Sequence, residues 1–521
     1  MLIKTLVIAV VAIQLVSARP GVENNQDGDE SMHEVRRIKR KIPGVSPDEE
    51  NTAEFWRKKA QLILNDKLQT KENTNRAKNV ILFLGDGMSI PTLAAARAYE
   101  GQKKGQTGEE NYLSFEEFPY TGLSKTYCVD TQVADSACSA TAYLCGIKAN
   151  MGTIGVTGSV PYSECEPSKN ESTHVTSIGR WSQLKNKRTG LVTTTRVTHA
   201  SPSGVYASVA DREWECDTDV KILGDDPKEC NDIAYQLVNG ETGKNLNVIL
   251  GGGRGKFLPK TIVDEEGQKG KRSDGVNLIE DWLEQKSGVN AEYVWKRDDL
   301  LNLPEETDYV LGLFESSHCN YDMDRTKDDP SLAEMTEAAI KILQKGDDGF
   351  FLFVEGGRID HAHHDTKAHK ALDETVAFSD AIRRAKELTN SEDTLIVVTS
   401  DHAHTMSVNG YPTRGNDILG ISGIADDQLP YSTLSYANGP GYRKEEDGKR
   451  HNISEDNMQD KEYKFPSLAP LSSETHGGDD VGIFATGPWA HLYRGVIEQN
   501  AIPHIMAYAS CVGDGVTLCD Q

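Results

Sequence analysis

Three short motifs combine carboxylates and imidazoles at spacings that suit metal ions. Asp360 and His364 stand four residues apart in the stretch EGGRIDHAHH, so a helix would place both on one face, within reach of one cation. Asp401 and His402 follow an apolar run, and His476 stands beside glycines that let the backbone approach closely. Nitrogen and oxygen ligands without thiolates suit zinc, and all-oxygen ligand sets suit magnesium. These motifs therefore predict a metal centre.

Ser136 is the candidate nucleophile. It opens an alanine-rich stretch that stops at Gly146, so we expect a helix with Ser136 at its N-terminus. The free N–H groups and the dipole at that end of a helix favour an anion. An ordinary Asp135 or Ser136 helix cap is the alternative. The predicted metal ligands favour a nucleophile, because a zinc ion can stabilise a serine alkoxide at usable pH.

The elements that must position these residues alternate along the chain. Five apolar runs, rich in β-branched and aromatic residues, predict strands that are buried on both faces. They are residues 80–84, 190–194, 248–250, 350–354 and 394–398. Helical segments lie between them, for example at residues 331–345 and 367–388, which predicts an α/β fold with a mostly parallel central sheet and helices on both faces. Residues 410–471 are rich in Gly, Pro, Asn, Asp and Tyr without a strong period, so we expect an irregular, crown-like inserted subdomain there.

Polar side chains follow four of these runs, where the strands stop. They are Asp86, the pair His199 and Ser201, Glu355, and the pair Asp401 and His402. In open α/β sheets, ligands bind outside the carboxyl ends of the strands. We therefore expect these side chains to meet at one edge of the sheet and to form the active site.

The composition argues against one class of partner. The 521 residues include 56 lysines and arginines against 80 acidic residues, a formal charge of −24. This acidity argues against nucleic-acid binding, which needs a basic surface. Small anionic substrates are not excluded, because bound cations can reverse the local field.

The N-terminal region carries processing signals. An apolar run at residues 6–16, followed by small residues, predicts a signal peptide over residues 1–18. Residues 19–40 end in RRIKR, which is either the cleavage site of a pro-segment or a solvated basic cluster. We assign residues 41–521 to one catalytic domain. The sequons at Asn170 and Asn452 predict glycosylation, in agreement with a secretory route.

The cysteine pattern is only partly informative. Nine cysteines in a secreted chain leave at least one thiol unpaired unless a second chain is bridged. The sequence has no CxxC pair, so a thiolate zinc site is not expected. Cys511 and Cys519 flank a short glycine-rich loop, which suits a local disulfide. Spacing alone leaves the remaining pairing open.

Six stretches of the chain together resemble the motifs of the alkaline phosphatases, and those of animals most closely. They are residues 85–88 (GDGM), 135–137 (DSA), 195–202 (TRVTHASP), 355–361 (EGGRIDH), 401–402 (DH) and 474–478 (ETHGG). The resemblance runs from about Phe55 to Cys519 in the family's order. It implies a metal-dependent enzyme that hydrolyses a broad range of phosphate monoesters at alkaline pH. Ser136 would form a phosphoserine intermediate, and Arg212 would clamp two phosphoryl oxygens.

The resemblance also implies specific metal ligands, with two Zn²⁺ and one Mg²⁺ per subunit. One zinc would be held by Asp360, His364 and His476, and the other by Asp86, Asp401 and His402. Magnesium would be held by Asp86, Ser201 and Glu355, with His199 and His361 in its outer shell. A calcium site would use the Phe314 carbonyl, Glu315, Asp329 and either Glu265 or Glu266, although a solvated acidic loop is the alternative reading of these residues.

By the same resemblance, two disulfides are expected, Cys165–Cys230 and Cys511–Cys519. The pairing or freedom of five cysteines stays open: Cys128, Cys138, Cys145, Cys216 and Cys319. Cys138 departs from the family pattern, because it replaces a small residue just after the nucleophile.

Two other protein classes are alternatives to a phosphomonoesterase. A phosphodiesterase or sulfatase of the same superfamily would not be expected to carry Arg212 together with Ser201 and Glu355. A non-catalytic binding protein would tolerate the loss of Ser136 or of a zinc ligand, and the sequence retains all of them.

Assembly and location are also expected from the resemblance. We expect a homodimer, with residues 410–471 and the helix at about residues 55–68 as contacts. Many animal relatives carry a C-terminal lipid anchor, whose signal needs roughly 10–20 apolar residues. Only two polar residues follow Cys519 here, so we expect a secreted, soluble, extracellular enzyme without a stable membrane anchor.

Overall fold

The computed structural model describes residues 48–520, so the predicted signal peptide and pro-segment lie outside the described residues. The strands, in chain order, are β1 (Asn79–Gly85), β2 (Tyr120–Lys125), β3 (Arg188–Arg196), β4 (Val248–Gly252), β5 (Ala291–Val294), β6 (Tyr309–Leu313), β7 (Phe350–Gly356), β8 (Thr394–Thr399), β9 (Ala403–His404), β10 (Ser407–Val408), β11 (Ile421–Ile424), β12 (Pro430–Ser432), β13 (Leu434–Gly439), β14 (Ser467–Pro470), β15 (His476–Gly477), β16 (Val481–Thr486) and β17 (Gly495–Glu498).

The α-helices, numbered in the same way, are α1 (Ala53–Gln69), α2 (Ile90–Lys103), α3 (Ser136–Cys145), α4 (Cys165–Ser168), α5 (Ile178–Gln183), α6 (Ala200–Ser203), α7 (Asp217–Ile222), α8 (Ile233–Asn239), α9 (Leu278–Gln285), α10 (Arg297–Leu301), α11 (Leu332–Leu343), α12 (Arg358–His364), α13 (Ala368–Leu388) and α14 (Ala501–Ser510).

Ten of the strands form one central sheet in the order β17-β2-β16-β8-β1-β7-β3-β4-β6-β5. Seven of the nine neighbouring pairs are parallel, and β16 is antiparallel to both of its neighbours. The prediction of a mostly parallel sheet is therefore confirmed, and all five predicted strands belong to it. The antiparallel strand β16 and the sheet strands β2, β5, β6 and β17 were not predicted.

Both faces of the sheet are covered, as strands with continuous apolar runs require. Successive residues of β1 alternate between two cores, because side chains on a strand point to opposite faces. Leu82 and Leu84 pack in one core with residues of α3, α5, α8, α9 and α14. Ile81 and Phe83 pack in the other core with residues of α2, α11 and α13.

Helix α3 begins and ends at the residues that the sequence predicts. Asp135 caps its first turn, since the carboxylate accepts a hydrogen bond from the Cys138 backbone N–H at 3.2 Å. Gly146 ends it with a φ of +77°, a left-handed conformation that glycine adopts without steric cost. Ser136 is consequently the first residue of a buried helix.

The region at residues 410–471, all of which the structure describes, is as irregular as expected. It contains short strands, one 3₁₀ turn at Ile453–Glu455 and no α-helix. Its strands belong to two small sheets outside the central sheet, β11-β12 and β10-β13-β14, and β10 of the second sheet lies just before the region.

Three disulfides join cysteines of the described chain. Cys165–Cys230 and Cys511–Cys519 are the two pairs that the resemblance implies, and Cys128–Cys138 joins two cysteines that the sequence left unassigned. Cys145, Cys216 and Cys319 are free thiols. Among the helices of residues 48–520, none has the length and apolar content needed to cross a membrane.

Candidate active site

Four neighbouring parallel strands bring the candidate residues to one edge of the sheet. Strands β8, β1, β7 and β3 are adjacent and run in the same direction. Asp86 follows β1, Glu355 stands near the end of β7, and Asp401 comes just after β8. His199 and Ser201 lie in the turn and short helix α6 after β3. The structure therefore brings these residues to one edge of the sheet, as the sequence predicts.

Asp86, Asp401 and His402 form the first candidate cation group. Their ligand atoms all lie within 4.8 Å of one another, and the three side chains are buried. The His402 Nε2 atom is 3.0 Å from the Asp401 carboxylate and 3.6 Å from that of Asp86. Neither Asp86 oxygen has a hydrogen-bond partner among the described residues. Burial, followed by the nearby charges of Asp401 and Asp360, raises the pKa of Asp86 well above its usual value. A cation would remove that cost.

A second group surrounds Glu355 and shares Asp86 with the first. Asp86, His199 and Glu355 offer ligand atoms within 4.8 Å of one another. One Glu355 oxygen accepts a hydrogen bond from Thr195 at 3.1 Å, while the other has no partner in the part of the chain that the structure describes. The Ser201 hydroxyl is buried and equally unpaired within that part. Burial raises the pKa of Glu355 to about 7. Buried oxygens without partners, from two carboxylates and a hydroxyl, match the ligands that magnesium prefers.

The third group lies around Asp360 on helix α12, where the predicted spacing puts Asp360 and His364 on one face. His364 Nε2 is 3.3 Å and His476 Nε2 is 3.4 Å from the Asp360 carboxylate. His364 Nδ1 donates to the Glu474 carbonyl at 2.5 Å, and His476 Nδ1 donates to the Ala134 carbonyl at 2.8 Å. Each Nε2 is then an unprotonated acceptor, because burial lowers the pKa of both imidazoles.

These two Nε2 atoms nevertheless stand only 3.1 Å apart. Two unprotonated nitrogens at this distance repel each other and the nearby Asp360 carboxylate. A cation bound between the three groups would remove this repulsion. The nitrogen and oxygen donors, without thiolates, suit zinc.

His404 and Glu474 complete this group, although neither is assigned a role from the sequence alone. His404 Nε2 is 2.6 Å from Asp360, and its Nδ1 contacts the Glu474 carboxylate. Although burial opposes its ionisation, Glu474 and Asp360 together raise the pKa of His404 to about 10. His404 therefore holds the Asp360 carboxylate in place as a charged donor. The Asp-His-Ala-His and Glu-Thr-His motifs contain both residues, but their partners become apparent only when β9 pairs with β15.

Ser136 and Arg212 lie beside these groups. The Ser136 hydroxyl is 3.2 Å from His402 Nε2, at the buried N-terminus of α3. Arg212 donates to the Asp135 carboxylate at 3.0 Å, and its other terminal nitrogen is 3.3 Å from His199 Nε2. Although burial opposes its charge, Asp135 and Glu213 raise the pKa of Arg212, so the guanidinium stays protonated. A serine hydroxyl, a fixed guanidinium and several cation sites together suit the transfer of a phosphoryl group.

The His361 ring packs edge-on against His199 of the Glu355 group, with ring centroids 5.3 Å apart. A third ring, His318, lies 4.3 Å from His361 and was not singled out from the sequence. Burial lowers the pKa of His361 to about 3, so this imidazole is neutral.

The residues expected at a calcium site are only partly gathered. Phe314, Glu315 and Asp329 line one small cavity, in which Asn320 donates to both carboxylates at 2.7 and 3.1 Å. Glu265 and Glu266 lie against the buried Arg254. Burial, then the charges of Glu266 and Asp329, raises the pKa of Glu315 to about 7.

Comparisons with known proteins agree with this geometry. The alkaline phosphatase family model matches residues 77–512. The membrane-bound alkaline phosphatase of Bombyx mori is 49% identical over 480 residues, covering 90% of this chain and 87% of that protein. The alkaline phosphatase of Gadus morhua is 49% identical, covering 90% of this chain and 99% of that protein, and the tissue-nonspecific isozyme of Rattus norvegicus is 47% identical, covering 91% of each.

Solved structures agree in fold. The alkaline phosphatase of Thermus thermophilus superposes with a TM-score of 0.60 at 23% identity, covering 84% of this chain and 92% of that one. A mutant of the TAB5 alkaline phosphatase, described as having Mg bound in the M3 site, gives a TM-score of 0.59 at 22% identity, covering 85% of this chain and 100% of that one. On the extent of the family match and the identity to its animal relatives, this chain belongs to the alkaline phosphatase family and hydrolyses phosphate monoesters.

Proposed function

We propose that Ser136 is the nucleophile of this hydrolysis and that the reaction passes through a phosphoserine. The first turn of α3 supports this, because its free N–H groups and dipole favour the negative charge of an incoming phosphoryl group. The neighbouring His402 imidazole is 3.2 Å from the hydroxyl, so the serine is oriented toward the cation groups. Water then hydrolyses the phosphoserine and releases inorganic phosphate.

Two zinc ions and one magnesium ion per chain would occupy the three groups. One zinc would be held by Asp360, His364 and His476, and the other by Asp86, Asp401 and His402. Magnesium would be held by Asp86, Ser201 and Glu355, with His199 and His361 in its outer shell. The observation that carries this assignment is the 3.1 Å approach of the His364 and His476 lone pairs. When bound, such cations lower the pKa of a hydroxyl or of water and offset phosphoryl charge.

Arg212 would bind two oxygens of the phosphoryl group. Its planar fork fits two oxygens at once, and Asp135 holds the guanidinium from one side at 3.0 Å. The chain's contacts are then made to the phosphoryl group rather than to the leaving alcohol. A broad range of monoesters would therefore be accepted.

A calcium ion at Phe314, Glu315 and Asp329 is a further part of the proposal, with Glu265 or Glu266 as the remaining ligand. The raised pKa of Glu315 supports it, since a carboxyl that is buried near other acids is stabilised by a cation.

We also propose passage through an oxidising, secretory compartment to an extracellular location. Three disulfides support this, since such bonds persist in oxidising surroundings. Asn170 and Asn452 are exposed in short turns, as glycosylation requires. Enzymatic removal of N-glycans should lower the mass of the secreted protein, and a double Asn170→Gln, Asn452→Gln variant should show no such change.

Metal analysis combined with a chromogenic phosphomonoester tests the proposal. Wild-type protein should contain two zinc ions and one magnesium ion, lose activity with a chelator, and regain it when both metals return. Ser136→Ala should bind the same metals and stay inactive, because no predicted cation group depends on the serine. Full activity after complete removal of metal would contradict the metal roles, and an active Ser136→Ala variant would contradict the nucleophile.

A further inference from the structure

The Cys128–Cys138 disulfide closes the segment of chain that leads into Ser136. Residues 126–135, between β2 and α3, contain no helix or strand, and several of them are exposed, Val129 and Val133 among them. Cys128 lies near the start of this segment, and Cys138 lies in the first turn of α3. The disulfide therefore ties both ends of an irregular loop together at the edge of the active site.

Three consecutive residues of this loop and helix contact the active site. The Ala134 carbonyl accepts the Nδ1 hydrogen of His476 at 2.8 Å. The Asp135 carboxylate accepts from Arg212 at 3.0 Å and from the Gly152 backbone N–H at 3.0 Å. Ser136 follows directly. One short stretch of backbone thus fixes a predicted zinc ligand, the predicted phosphate clamp and the predicted nucleophile.

Cys128 is itself held against the body of the protein. The Val129 N–H donates to the Ala149 carbonyl at 2.9 Å, and the Met151 N–H donates to the Asp130 carboxylate at 2.8 Å. The disulfide is buried and packs with Ala134 and Ala149 in a small apolar cluster. Through Cys138, this anchored point is bonded covalently to the helix that carries Ser136.

A covalent link of this kind limits the conformations that the closed loop can sample. Partners that orient a metal-ligating histidine matter almost as much as the ligand itself, and their loss typically weakens metal binding by about 10–100-fold. A displacement of about 1 Å at a nucleophile can lower the rate by about a hundredfold. Both effects converge on the loop that this disulfide closes.

We propose that the Cys128–Cys138 disulfide is a positioning element of the active site, which holds His476 through Ala134 and aligns Ser136 with Arg212. The inference rests on the proposed roles of these residues. Opening this bond would therefore disturb the active site. A phosphine that opens the bond is oxidised to its phosphine oxide with the oxygen atom of one water molecule, and Cys128 and Cys138 each gain one electron and one proton to become thiols.

Replacement of both cysteines tests the inference. The Cys128→Ala, Cys138→Ala variant should release zinc to a chelator on the order of tenfold faster than the wild type. Its kcat should fall on the order of tenfold, with KM changed by less than about twofold. The matched control is Cys511→Ala, Cys519→Ala, which removes a disulfide of similar span, 8 residues against 10, that makes none of the contacts described above. This control should keep the wild-type zinc release rate and kcat.

If the double variant does not fold, graded reduction of the wild-type enzyme by a water-soluble phosphine, which unlike a dithiol offers no pair of thiolates to chelate zinc, gives the same comparison. Alkylation and mass mapping then identify which disulfide has opened, and the loss of kcat should follow Cys128–Cys138. Wild-type kcat and zinc release after that bond is removed or opened would overturn the inference, even with a lower melting temperature. Mapping the phosphoenzyme separately distinguishes the positioning role of the disulfide from the nucleophile role of Ser136. A phosphate found away from Ser136 would contradict the proposed function instead.

Discussion

Asp86 belongs to two candidate cation groups, one with Asp401 and His402 and the other with Glu355. Its carboxylate is buried, and neither of its oxygens is paired within residues 48–520. The Asp86 carboxylate therefore destabilises the folded protein when no metal is bound and stabilises it when metal is bound. These opposite effects on stability can be tested.

Asp86→Asn should stabilise the metal-free protein and destabilise the metal-loaded one. The folded metal-free chain raises the pKa of Asp86, so this carboxyl costs stability above its unfolded pKa, and the cost grows as the pH rises toward the folded pKa. At pH 8 the metal-free variant should be more stable than the metal-free wild type by about 1–3 kcal/mol, with the difference shrinking as the pH falls toward 4. Denaturant unfolding with and without chelator measures both values. A metal-free variant that is less stable than the wild type at pH 8 would contradict this account.

Arg212→Lys should weaken phosphate binding although the charge is kept. A lysine ammonium cannot make two parallel hydrogen bonds to one phosphoryl group, so kcat/KM should fall about 10–100-fold, and inhibition by inorganic phosphate should weaken in parallel. Steady-state kinetics with added phosphate measures both. Glu213→Gln is the control, since that exposed neighbour lies 3.7 Å from Arg212 and should leave the kinetics close to wild type. An equal loss in both variants would point to general disruption of the loop.

At the residue scale, the sequence predicted the groups whose members are close together in the chain. The i, i+4 spacing of Asp360 and His364 needs only a helix, and the structure contains one. His404 and Glu474 could not be assigned, because their carboxylate–imidazole contact joins positions 70 residues apart. The Cys128–Cys138 pair was unassigned for a different reason, since spacing alone does not determine which cysteines pair.

At the scale of elements, long apolar runs predicted strands reliably, and short runs of mixed polarity did not. Strands β1, β7 and β8 are buried along their whole length, so continuous hydrophobic sequence marks them. Strand β2, by contrast, is only partly buried and includes Thr121, Ser124 and Lys125, so it has no clear apolar run. The reversed direction of β16 depends on how the chain returns to the sheet, which no local pattern encodes.

Asn438 of strand β13 links the inserted region to the candidate zinc group through hydrogen bonds, and a substitution of this residue tests the link. Its side chain donates to Thr475 at 2.9 Å and accepts from the Thr475 backbone N–H at 2.9 Å, next to His476. Asn438→Ala should speed the loss of zinc to a chelator by about tenfold. Asn409→Ala, directly before the inserted region, removes side-chain hydrogen bonds to Ser407, Thr433 and Ser435 and none to Thr475, so it should lower stability without changing zinc release. Equal zinc loss in both variants would contradict a specific link.

At the scale of the molecule, helix α1 presents an apolar surface without a described partner. None of its residues is buried, and Leu62 and Leu68 are 61% and 73% exposed. Such a helix gains little stability alone, since most helices depend on tertiary packing. We propose that a second copy of the chain covers it, as expected for a homodimer, with residues 410–471 as the neighbouring contact.

Leu64→Glu combined with Leu68→Glu should weaken this dimer. The two side chains lie one turn apart on the same face, so both charges would be buried at the interface. Sedimentation should show the wild type as a dimer at micromolar concentration and the variant shifted toward monomer. Ile222→Glu, at a residue that is 76% exposed in another region, is the control and should leave the dimer intact. A wild-type monomer at micromolar concentration would contradict the proposal.

The most direct test of the central claim is to find the phosphate on the enzyme. Wild-type protein mixed with a phosphomonoester and quenched in acid should carry one phosphate, and peptide mapping by mass spectrometry should locate it on Ser136. Ser136→Ala should yield no phosphoenzyme, whereas Ser139→Ala, three residues along the same helix, should be phosphorylated like the wild type. Phosphate on Ser139 or on another residue, or an active enzyme in which no phosphoserine forms, would contradict the account.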